Sequence, residues 1–432
     1  MKRTMRILVV GSGGREHAIT WALSRSEGAH ELFVAPGNPG TESLASNVNI
    51  QADDIEGLVR FAKESDIGLC IVGPEVPLVE GLADRLVAEG IPVVGPSAAA
   101  ARLEGSKAFS KAFMSRHGIP TAAYRTFASG EYASALAYVR AEGAPIVIKA
   151  SGLAAGKGAV VCLTLAEAEE ALDAMMRREA FGAASDTVVV EAFMEGEEAS
   201  IFALCDGTDY VLLSPAQDHK RIGEGDTGPN TGGMGAYCPA PVMTPELMRQ
   251  ACADVIEPTL KGMAAEGAPY AGILYVGLMM TPQGPAVVEY NCRLGDPETQ
   301  AVLMLLESDA VDLFYAAATQ ALAGFKVGLS SDAAACVVLA SDGYPGAYPK
   351  GRLITGIEDA SGAGAVVFHA GTRQAAGGIE TSGGRVLSVA ATGQDLSAAL
   401  ETCYRAVSKI HFDGMQYRRD IGQKGLARLE SA

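Results

Sequence analysis

The sequence predicts an α/β protein that begins with a parallel sheet covered by helices on both faces. Short apolar runs are expected to form strands at residues 6–10, 32–34, 69–72 and 92–94. Helical patterns at 55–63 and 78–89 separate the later runs, and buried strands that alternate with helices are typical of parallel sheets. Each run ends in a turn rich in glycine or proline. Ligands of such folds bind at the carboxyl ends of the strands, so a ligand is expected there.

Beyond residue 118 the pattern changes, which predicts further domains. Short strands are expected at 146–149, 159–162 and 188–191, with a helix at 165–177. Longer strands between 198 and 280 are interrupted by a polar, glycine-rich stretch at 218–237 and by a long helix at 246–265. Strands at 272–280 and 286–291 are predicted to form a hairpin. A strand-rich final segment ends in a helix at 396–410.

Composition limits the classes of function. The chain of 432 residues is long enough for about three domains. Its net charge of −17 argues against a nucleic-acid partner and requires local positive sites for any anionic substrate. No apolar stretch reaches the ~20 residues that span a bilayer, and no signal peptide is recognisable, so no membrane partner is expected. Eight cysteines without a CxxC pair predict reduced thiols in a cytoplasmic protein.

The loop between the first strand and the first helix, GSGGREH at 11–17, is the first candidate site. Free amides and the helix dipole favour an anion there, and Arg15 adds a positive charge suited to a phosphate monoester. A dinucleotide fingerprint is a poorer match, because Glu16 stands where the third glycine belongs and no acidic residue follows the second strand. A purely structural turn is the remaining alternative.

A second candidate is the loop that follows the strand ending at Lys149. It reads KASGLAAGKG and places a second lysine, Lys157, among three glycines. Small residues let backbone amides close over a polyphosphate, and lysines neutralise its charge. The loop is not a P-loop of the Walker type, since Gly158 occupies the hydroxyl position. A plain connection between two strands is the alternative.

The segment VEYNCRLGDPE at 288–298 carries the most chemical information. Residues two apart share one face of a strand, so Glu289, Asn291 and Arg293 are expected to point the same way. A carboxylate and an amide oxygen suit Mg²⁺, and a guanidinium suits phosphate oxygens. An exposed polar strand face with a surface ion pair is the alternative, but asparagine is depleted in strands.

The polar stretch at 218–237 is expected to bind substrate, because long glycine-dense loops are uncommon unless they bind something. His17 and His219 are candidate acid–base groups, although a lone histidine more often only forms hydrogen bonds.

Long motifs resemble one family. The chain is similar to the glycinamide ribonucleotide synthetases, which are phosphoribosylamine–glycine ligases of the ATP-grasp superfamily. Ser151 and Leu294 depart from residues common in that family. The similarity is carried by GSGGREHA, VAPGNPGT, IVGPEVPLV, LEGSKAF, PIVIKASGLAAGKGA, QDHKRIGEGDTGPNTGGMGAY, VEYNCRLGDPETQ, GYPG, VFHAGT and GGRVL.

The resemblance implies an architecture and a set of site residues. The implied parts are an N-terminal parallel α/β domain that binds phosphoribosylamine (1–122), a lid subdomain (123–193), a central mixed-sheet ATP-grasp domain (194–328) and a C-terminal α+β domain (329–432). The implied ATP-binding residues are Lys107, Lys149, Gly156, Lys157, Glu191, Ala192, Phe193, Met194 and Glu198. The implied substrate-binding residues are Gly11, Gly13, Gly14, Arg15, Glu16, Glu75, Asp218, Lys220, Gly295 and Asp296. The implied catalytic residues are Lys149, Arg293 and Asp296, and Glu289 and Asn291 are the implied ligands of Mg²⁺ or Mn²⁺.

The resemblance also implies a reaction. ATP would activate glycine as glycyl phosphate, and the amine of phosphoribosylamine would displace phosphate to give glycinamide ribonucleotide, in the second step of purine synthesis. A monomer or weak homodimer is expected. The alternatives are another ATP-grasp enzyme that uses bicarbonate or formate, a non-catalytic nucleotide sensor, and an NAD(P) oxidoreductase.

Overall fold

The computed structural model describes residues 4–154, 158–178 and 182–431. Its N-terminal part is a parallel sheet, as predicted, but it has five strands, in the order β3-β2-β1-β4-β5, because the short edge strand β3 was not predicted. The elements of this part are β1 Arg6–Gly11, α1 Gly14–Ser24, β2 Glu31–Pro36, β3 Ser46–Asn47, α2 Ile55–Glu64, β4 Leu69–Val72, α3 Glu75–Val79, α4 Leu82–Ala88, β5 Val93–Val94, α5 Ala98–Gly105 and α6 Lys107–Arg116. The single helix predicted at 78–89 is wrong: Gly81 takes φ 87° and separates α3 from α4.

The second part is a small sheet with its own core. Its strands run antiparallel in the order β6-β9-β7-β8, and two helices cover one face. The elements are β6 Tyr124–Ala128, α7 Tyr132–Glu142, β7 Ile146–Ala150, β8 Ala159–Cys162, α8 Leu165–Met176 and β9 Thr187–Ala192. Phe127, Ile148 and Leu172 belong to a buried cluster that contains residues of this part alone. This part is called the lid sheet below, because a lid subdomain is expected at these residues.

The central part is built on an antiparallel sheet in the order β11-β10-β16-β17. The elements are β10 Glu197–Asp206, β11 Tyr210–Leu212, β12 Gln217–Asp218, β13 Arg221–Gly223, β14 Thr227–Asn230, β15 Gly235–Cys238, α9 Pro245–Ala251, α10 Glu257–Ala265, β16 Ala271–Thr281, β17 Gly284–Asn291, α11 Glu298–Val302 and α12 Ala310–Ala318. The predicted hairpin β16–β17 is confirmed. A π-helical turn at Cys252–Ile256 joins α9 to α10, so the long helix predicted at 246–265 is continuous but irregular.

The polar stretch at 218–237 is more ordered than a loop. Strands β13 and β14 pair within it as a hairpin, which is called the 221–230 hairpin below. Strand β15 at its end joins the sheet of the C-terminal part. Backbone pairing therefore fixes a segment whose composition indicated only a loop.

The C-terminal part is an antiparallel sheet in the order β12-β15-β18-β22-β19, with β23 paired to β18. Its elements are β18 Ala333–Ser341, α13 Ile357–Gly362, β19 Val366–His369, β20 Thr372–Ala375, β21 Gly378–Thr381, β22 Arg385–Gly393, α14 Leu396–Val407, β23 Met415–Gln416 and α15 Gln423–Ser431. None of the helices within the described residues has the length and apolar character to cross a bilayer.

Strand β10 shows how the parts are held together. Its side chains alternate between two buried clusters, with Ile201 in the cluster that contains Leu8 and Leu82, and Phe202 in the cluster that contains Phe314. Because neighbouring residues of a strand face opposite ways, the central sheet packs on both sides. One cleft opens where the parallel sheet, the lid sheet and the central sheet meet.

Candidate active site

The cleft encloses a cavity of about 510 Å³. Side chains from all four parts line it. Within the described residues these include seven arginines and lysines and eight carboxylates. The wall is thus close to neutral, although the whole chain carries −17. This concentration of cations supplies the local positive charge that an anionic substrate requires.

Glu289, Asn291 and Arg293 converge on one wall of the cleft. Arg293 Nη2 donates to Asn291 Oδ1 at 3.0 Å, which places these two side chains on the same side of the backbone. Burial acts to raise the pKa of Glu289, but the charges of Lys220 and Lys149 overcome it and leave that pKa below its usual value. The Glu289 carboxylate is therefore ionised and faces a cavity, which excludes an exposed surface ion pair as the explanation of this strand.

The Arg293 guanidinium is also held by two carboxylates from the N-terminal part. Nε lies 3.3 Å from Glu75 Oε2, and Nη2 lies 2.9 Å from Glu104 Oε1. Glu104 Oε2 accepts the backbone N–H of Cys292 at 2.7 Å, and burial raises the pKa of Glu104. The N-terminal part therefore sets the position of the chain just beyond β17.

A β-bulge brings the backbone of β17 into the site. Its register shifts opposite Gly277 and Leu278, which leaves Val288 as the extra residue. The Val288 carbonyl accepts a hydrogen bond from Lys149 Nζ at 3.1 Å. Bulges next to active sites commonly re-aim backbone and side chains in this way.

Two lysines share one buried carboxylate at the lid side. Lys149 Nζ and Lys111 Nζ lie 3.0 Å and 2.9 Å from Glu191 Oε2. Burial lowers the pKa of Lys111 to about 8. The second oxygen of Glu191, Oε1, is buried and finds no hydrogen-bond partner among the described residues. A donor on a ligand in the cleft would satisfy it, and the role predicted for Glu191 in nucleotide binding stays a prediction.

Lys107 lies beside these lysines at the start of α6. Its Nζ donates to the Gly152 carbonyl at 3.3 Å, and burial lowers its pKa. Ser151 holds this end of the helix, because its carbonyl accepts from Lys107 N at 2.8 Å and its Oγ from Ala108 N at 3.0 Å. The departure at Ser151 thus leaves the helix end capped.

The structure describes only some of the other residues that are predicted to bind ATP. Ala192, Phe193 and Met194 line the cleft next to the lid sheet, and Glu198 lines it from β10 of the central sheet. Gly156 and Lys157 lie outside the described residues.

Asp218 and Lys220 form a charged cluster with Glu198 on the floor of the cleft. Lys220 Nζ lies 2.6 Å from Glu198 Oε2 and 3.9 Å from Glu289 Oε1. Burial raises the pKa of Asp218 to about 7, against the lowering effect of Lys220. Asp218 is therefore a carboxyl group of the cleft whose protonation changes near neutral pH.

The GSGGREH loop is arranged around Glu16. Its Oε2 accepts the Gly13 N–H and its Oε1 accepts Arg15 Nε, both at 2.6 Å. A Cβ on Gly11, whose φ is 124°, would lie 2.6 Å from Glu16 Cγ, so glycine is required there. Gly14 similarly approaches Gln300, where a Cβ would lie 2.7 Å from Nε2. Glu16 therefore orders the loop through contacts within the protein, and its predicted contact with substrate stays a prediction.

Arg15 is the residue of this loop that reaches the cavity. Nη1 donates to the Leu294 carbonyl at 3.2 Å, which ties the loop to the segment after β17. His17 Nδ1 accepts the His369 N–H at 2.8 Å, and burial lowers the His17 pKa to about 3. Burial likewise lowers the pKa of His219 to about 4. Both histidines are neutral hydrogen-bonding groups at physiological pH, as the second interpretation of these residues predicted.

Gly295 and Asp296 close the far end of the cleft. A Cβ on Gly295 would lie 2.5 Å from Glu298 Oε2, so a side chain at this position would displace the Glu298 carboxylate. Burial acts to raise the pKa of Asp296, but Arg385 and Arg15 leave it lowered. An ionised carboxylate of this kind accepts hydrogen bonds better than it abstracts protons.

Sequence reasoning missed several cleft residues. These are Glu104, Lys111, Tyr275, Glu298 and Arg385. Arg385 comes from β22 and donates to the carbonyls of Gly232 at 2.6 Å and Asp296 at 2.7 Å. Glu104, Glu298 and Arg385 stand inside the motifs LEGSKAF, DPETQ and GGRVL, which were the available signal. Lys111 and Tyr275 stand on a helix and a strand without any such motif.

The donor set fits a nucleotide-bound divalent ion. No group of three or more His, Cys, Asp or Glu side chains that could hold a metal occurs in the described part of the chain. Glu289 and Asn291 offer one carboxylate and one amide oxygen. Two protein oxygens plus substrate phosphates are the usual shell of Mg²⁺ in such sites, so these residues fit the ion without a dedicated protein cage.

Comparison with known sequences matches most of the chain to one family. Three models of phosphoribosylglycinamide synthetase match the chain: the N domain at residues 5–104, the ATP-grasp (A) domain at 105–299 and the C domain at 334–424. A phosphoribosylamine–glycine ligase from Vibrio vulnificus strain YJ016 is 53% identical over 427 residues, which is 98% of this chain and 99% of that protein. The corresponding ligase from Rhizobium meliloti is 52% identical over 424 residues, again 98% and 99%.

Solved structures of other proteins share the fold of this chain. The crystal structure of phosphoribosylamine–glycine ligase from Thermotoga maritima superposes with a TM-score of 0.81 and 34% identity, covering 96% of this chain and 100% of that one. A biotin carboxylase domain from Hydrogenobacter thermophilus, solved with MgADP and bicarbonate, has a TM-score of 0.68 over 96% of this chain and 91% of that one. At 18% identity it shows the fold alone.

ATP-grasp enzymes use ATP together with divalent metal ions. The cleft described above contains lysines, which suit a polyphosphate, and carboxylate and amide oxygens, which suit a divalent ion. With three family models in chain order and full-length relatives, the chain belongs to the phosphoribosylamine–glycine ligase family of ATP-grasp enzymes, which performs the second step of purine biosynthesis.

Proposed function

We propose that this cleft joins glycine to 5-phospho-D-ribosylamine through glycyl phosphate, giving N1-(5-phospho-D-ribosyl)glycinamide, ADP and phosphate. The observation that carries the residue assignment is the convergence of Glu289, Asn291, Lys149 and Arg293 on one cavity. The chain's own groups then divide into those that activate glycine and those that hold the amine substrate.

The first step activates a poor electrophile. A carboxylate oxygen of glycine attacks the γ-phosphorus of ATP, the bond to the β-phosphate oxygen breaks, and ADP leaves with the electron pair. Lys149 and Lys107 offset the charge on the phosphoryl oxygens. Arg293 contributes positive charge from a fixed position, since Glu75 and Glu104 already hold its guanidinium.

Glu289 and Asn291 would hold Mg²⁺ or Mn²⁺ with the phosphates of ATP. The ion supplies Lewis-acid stabilisation of the phosphoryl oxygens. The ionised state of Glu289 in this cationic surrounding supports its assignment as a ligand.

The second step forms the amide bond. The amine of phosphoribosylamine attacks the acyl carbon, phosphate leaves with the bonding electron pair, and the nitrogen gives up one proton to the departing phosphate. Arg15 and the amides of Gly11, Gly13 and Gly14 are proposed to hold the 5-phosphate. Asp296 is ionised and accepts hydrogen bonds from the ribosylamine.

Glycyl phosphate hydrolyses in water, so the cleft must close during the reaction. The lid sheet has its own apolar cluster, which supports closure of this part as a unit. We propose the boundaries 1–122, 123–193, 194–328 and 329–432 for the four domains. We further propose a cytoplasmic monomer or weak homodimer that binds no nucleic acid. The cysteines are free and most of them are buried, which supports a cytoplasmic location. The strongly acidic chain supports the absence of a nucleic-acid partner.

An assay of phosphate release tests the proposal. ATP, Mg²⁺ and phosphoribosylamine are supplied with glycine, bicarbonate or formate in parallel. Release that requires both glycine and the amine supports the ligase. Release with bicarbonate or formate instead would assign the site to another ATP-grasp reaction, and ATP binding without any turnover would indicate a nucleotide sensor.

A further inference from the structure

We propose that Arg418, in the C-terminal part, is a positioning residue for the ligase reaction, because it clamps the 221–230 hairpin whose two ends line the cleft. The expected effect of Arg418 on catalysis rests on the proposed function. The clamp itself rests on contacts alone. Arg418 lies just after β23, far along the chain from every residue assigned to the site above.

Arg418 is almost fully buried, at 1% exposure. Its Nη1 donates to Asp226 Oδ1 at 2.8 Å and to the Arg221 carbonyl at 3.1 Å. Its Nε and Nη2 donate to the two oxygens of Asp420 at 2.8 Å and 2.7 Å. The guanidinium thus bridges the hairpin and the C-terminal segment with a planar fork that lysine cannot reproduce.

Neighbouring contacts extend the clamp. Asp420 Oδ2 accepts the Gly225 N–H at 2.8 Å, and Lys424 forms a second ion pair with Asp226. Asp226 adopts φ 55°, an uncommon conformation for a residue other than glycine. These ion pairs leave the pKa of Asp226 at about 2 despite partial burial, so the aspartate is charged at every pH at which the enzyme works.

Apart from Arg418, polar contacts near the surface hold the hairpin tip, including the Arg419 N–H that donates to Glu224 Oε1 at 3.2 Å. Residues 224, 225 and 227–229 are exposed, and the two strands pair only with each other. An isolated two-stranded hairpin is marginal in water without further packing. Arg418, at 1% exposure, is therefore the deeply buried side chain that joins the hairpin tip to the body of the protein.

Both ends of the hairpin reach the cleft. Lys220 precedes it, Asn230 and Thr231 close it, and all three line the cavity. The ends are tied together, since Thr231 N and Oγ1 both donate to the Lys220 carbonyl, at 2.7 Å and 2.8 Å. A shift of the tip is thus transmitted to Lys220, whose Nζ lies between Glu198 and Glu289.

A second anchor fixes the segment beyond the hairpin independently. Gly232 N donates to Tyr344 Oη at 2.9 Å, and Arg385 donates to the Gly232 carbonyl at 2.6 Å. These contacts do not involve Arg418. Loss of the clamp should therefore free the hairpin while Gly232 and the C-terminal part keep their places.

The test compares Arg418→Ala, Arg418→Lys and Asp226→Asn with a control, Arg352→Ala, which removes an exposed arginine–aspartate pair of the same part. We expect kcat of Arg418→Ala and Asp226→Asn to fall at least ~10-fold, since small misplacements near the reacting groups are costly. The KM for ATP should rise by less than kcat falls. Arg418→Lys should recover part of kcat, and the control should match the wild type.

Hydrogen exchange measured on the same proteins reads the clamp directly. Faster exchange confined to 221–230 in Arg418→Ala and Asp226→Asn supports the proposal. Unchanged kcat with a loosened hairpin, or reduced kcat with unchanged exchange there, would overturn it. If Arg418→Ala does not fold, Asp226→Asn and Lys424→Ala decide by the same criteria. A wild type without glycine-dependent turnover would refute the proposed function instead, and the exchange data would still report on the clamp.

Discussion

Arg293 Nη2 donates to Asn291 Oδ1 at 3.0 Å from a position beyond the last residue of β17. The same nitrogen lies 2.9 Å from Glu104 Oε1, so one guanidinium connects α5 of the N-terminal part with the proposed metal face. Arg293 thereby holds a candidate ligand in place as well as contributing charge. The arrangement couples the N-terminal part, which is proposed to bind the amine, to strand β17, which is proposed to face ATP.

Glu104 tests this coupling. Glu104→Gln should reduce kcat at least ~10-fold, because it weakens a buried charge-assisted hydrogen bond that positions Arg293 and Asn291. Steady-state kinetics would measure it, with Glu246→Gln on an exposed helix pair as the control. Wild-type turnover in Glu104→Gln would mean that Arg293 is positioned without this carboxylate.

A larger fall in kcat is expected when a charged residue of the site itself is removed. Glu289→Ala or Lys149→Met should leave the fold intact and cut kcat by at least ~100-fold, the scale for loss of one preorganised electrostatic contact. The measurement is ADP formation at saturating ATP and Mg²⁺, with circular dichroism as the check on folding. Near-normal turnover in either variant would remove that residue from the mechanism.

Arg15 is expected to contribute to the binding of one substrate, phosphoribosylamine. Arg15→Ala is expected to raise the apparent KM for phosphoribosylamine more than that for ATP or glycine, because its positive charge is proposed to face the 5-phosphate. Arg25→Ala, at the far end of the same helix, serves as the control. An unchanged KM for phosphoribosylamine would place the phosphate site elsewhere.

The raised pKa of Asp218 predicts that kcat/KM for glycine depends on pH. With its pKa raised to about 7 by burial, its carboxylate becomes protonated as the pH falls through neutrality and no longer compensates Lys220. We expect kcat/KM for glycine to fall below about pH 7 in the wild type. Asp218→Asn should lack that inflection. Identical profiles for the two proteins would exclude Asp218 as the titrating group.

His17 predicts a loss of stability in acid. Its pKa is lowered to about 3, so below pH 6.5 the unfolded chain takes up a proton that the folded protein excludes. Stability from this group is complete above the unfolded pKa and is lost as the pH falls. From pH 7.5 to pH 5 the loss is about 2 kcal/mol. Urea unfolding at both pH values should show a smaller loss in His17→Gln, which keeps an acceptor for His369 N–H. Equal losses would contradict a neutral His17.

Local patterns predicted the elements that depend on neighbouring residues. The four predicted N-terminal strands, the β16–β17 hairpin and helix α14 follow from apolar periodicity and turn residues. The chain does not end in α14 as predicted, because α15 follows it. The break at Gly81 was missed, because a helical pattern continues across it and left-handed backbone is not visible in hydrophobicity. The pairing of β13 with β14 was missed because that stretch is polar throughout.

The sequence by itself determined the family, the parallel sheet and the shared strand face of Glu289 and Asn291, since a strand alternates its side chains with a fixed period. Arg293 lies beyond the end of β17 and meets them through its hydrogen bond to Asn291. Only the tertiary structure decided which distant groups complete the site. Glu104 meets Arg293 across 189 residues, and Arg418 meets Asp226 across 192. Contacts of this kind arise from how packed sheets bring remote segments together, and burial then sets the charge state of groups such as Asp218 and His17.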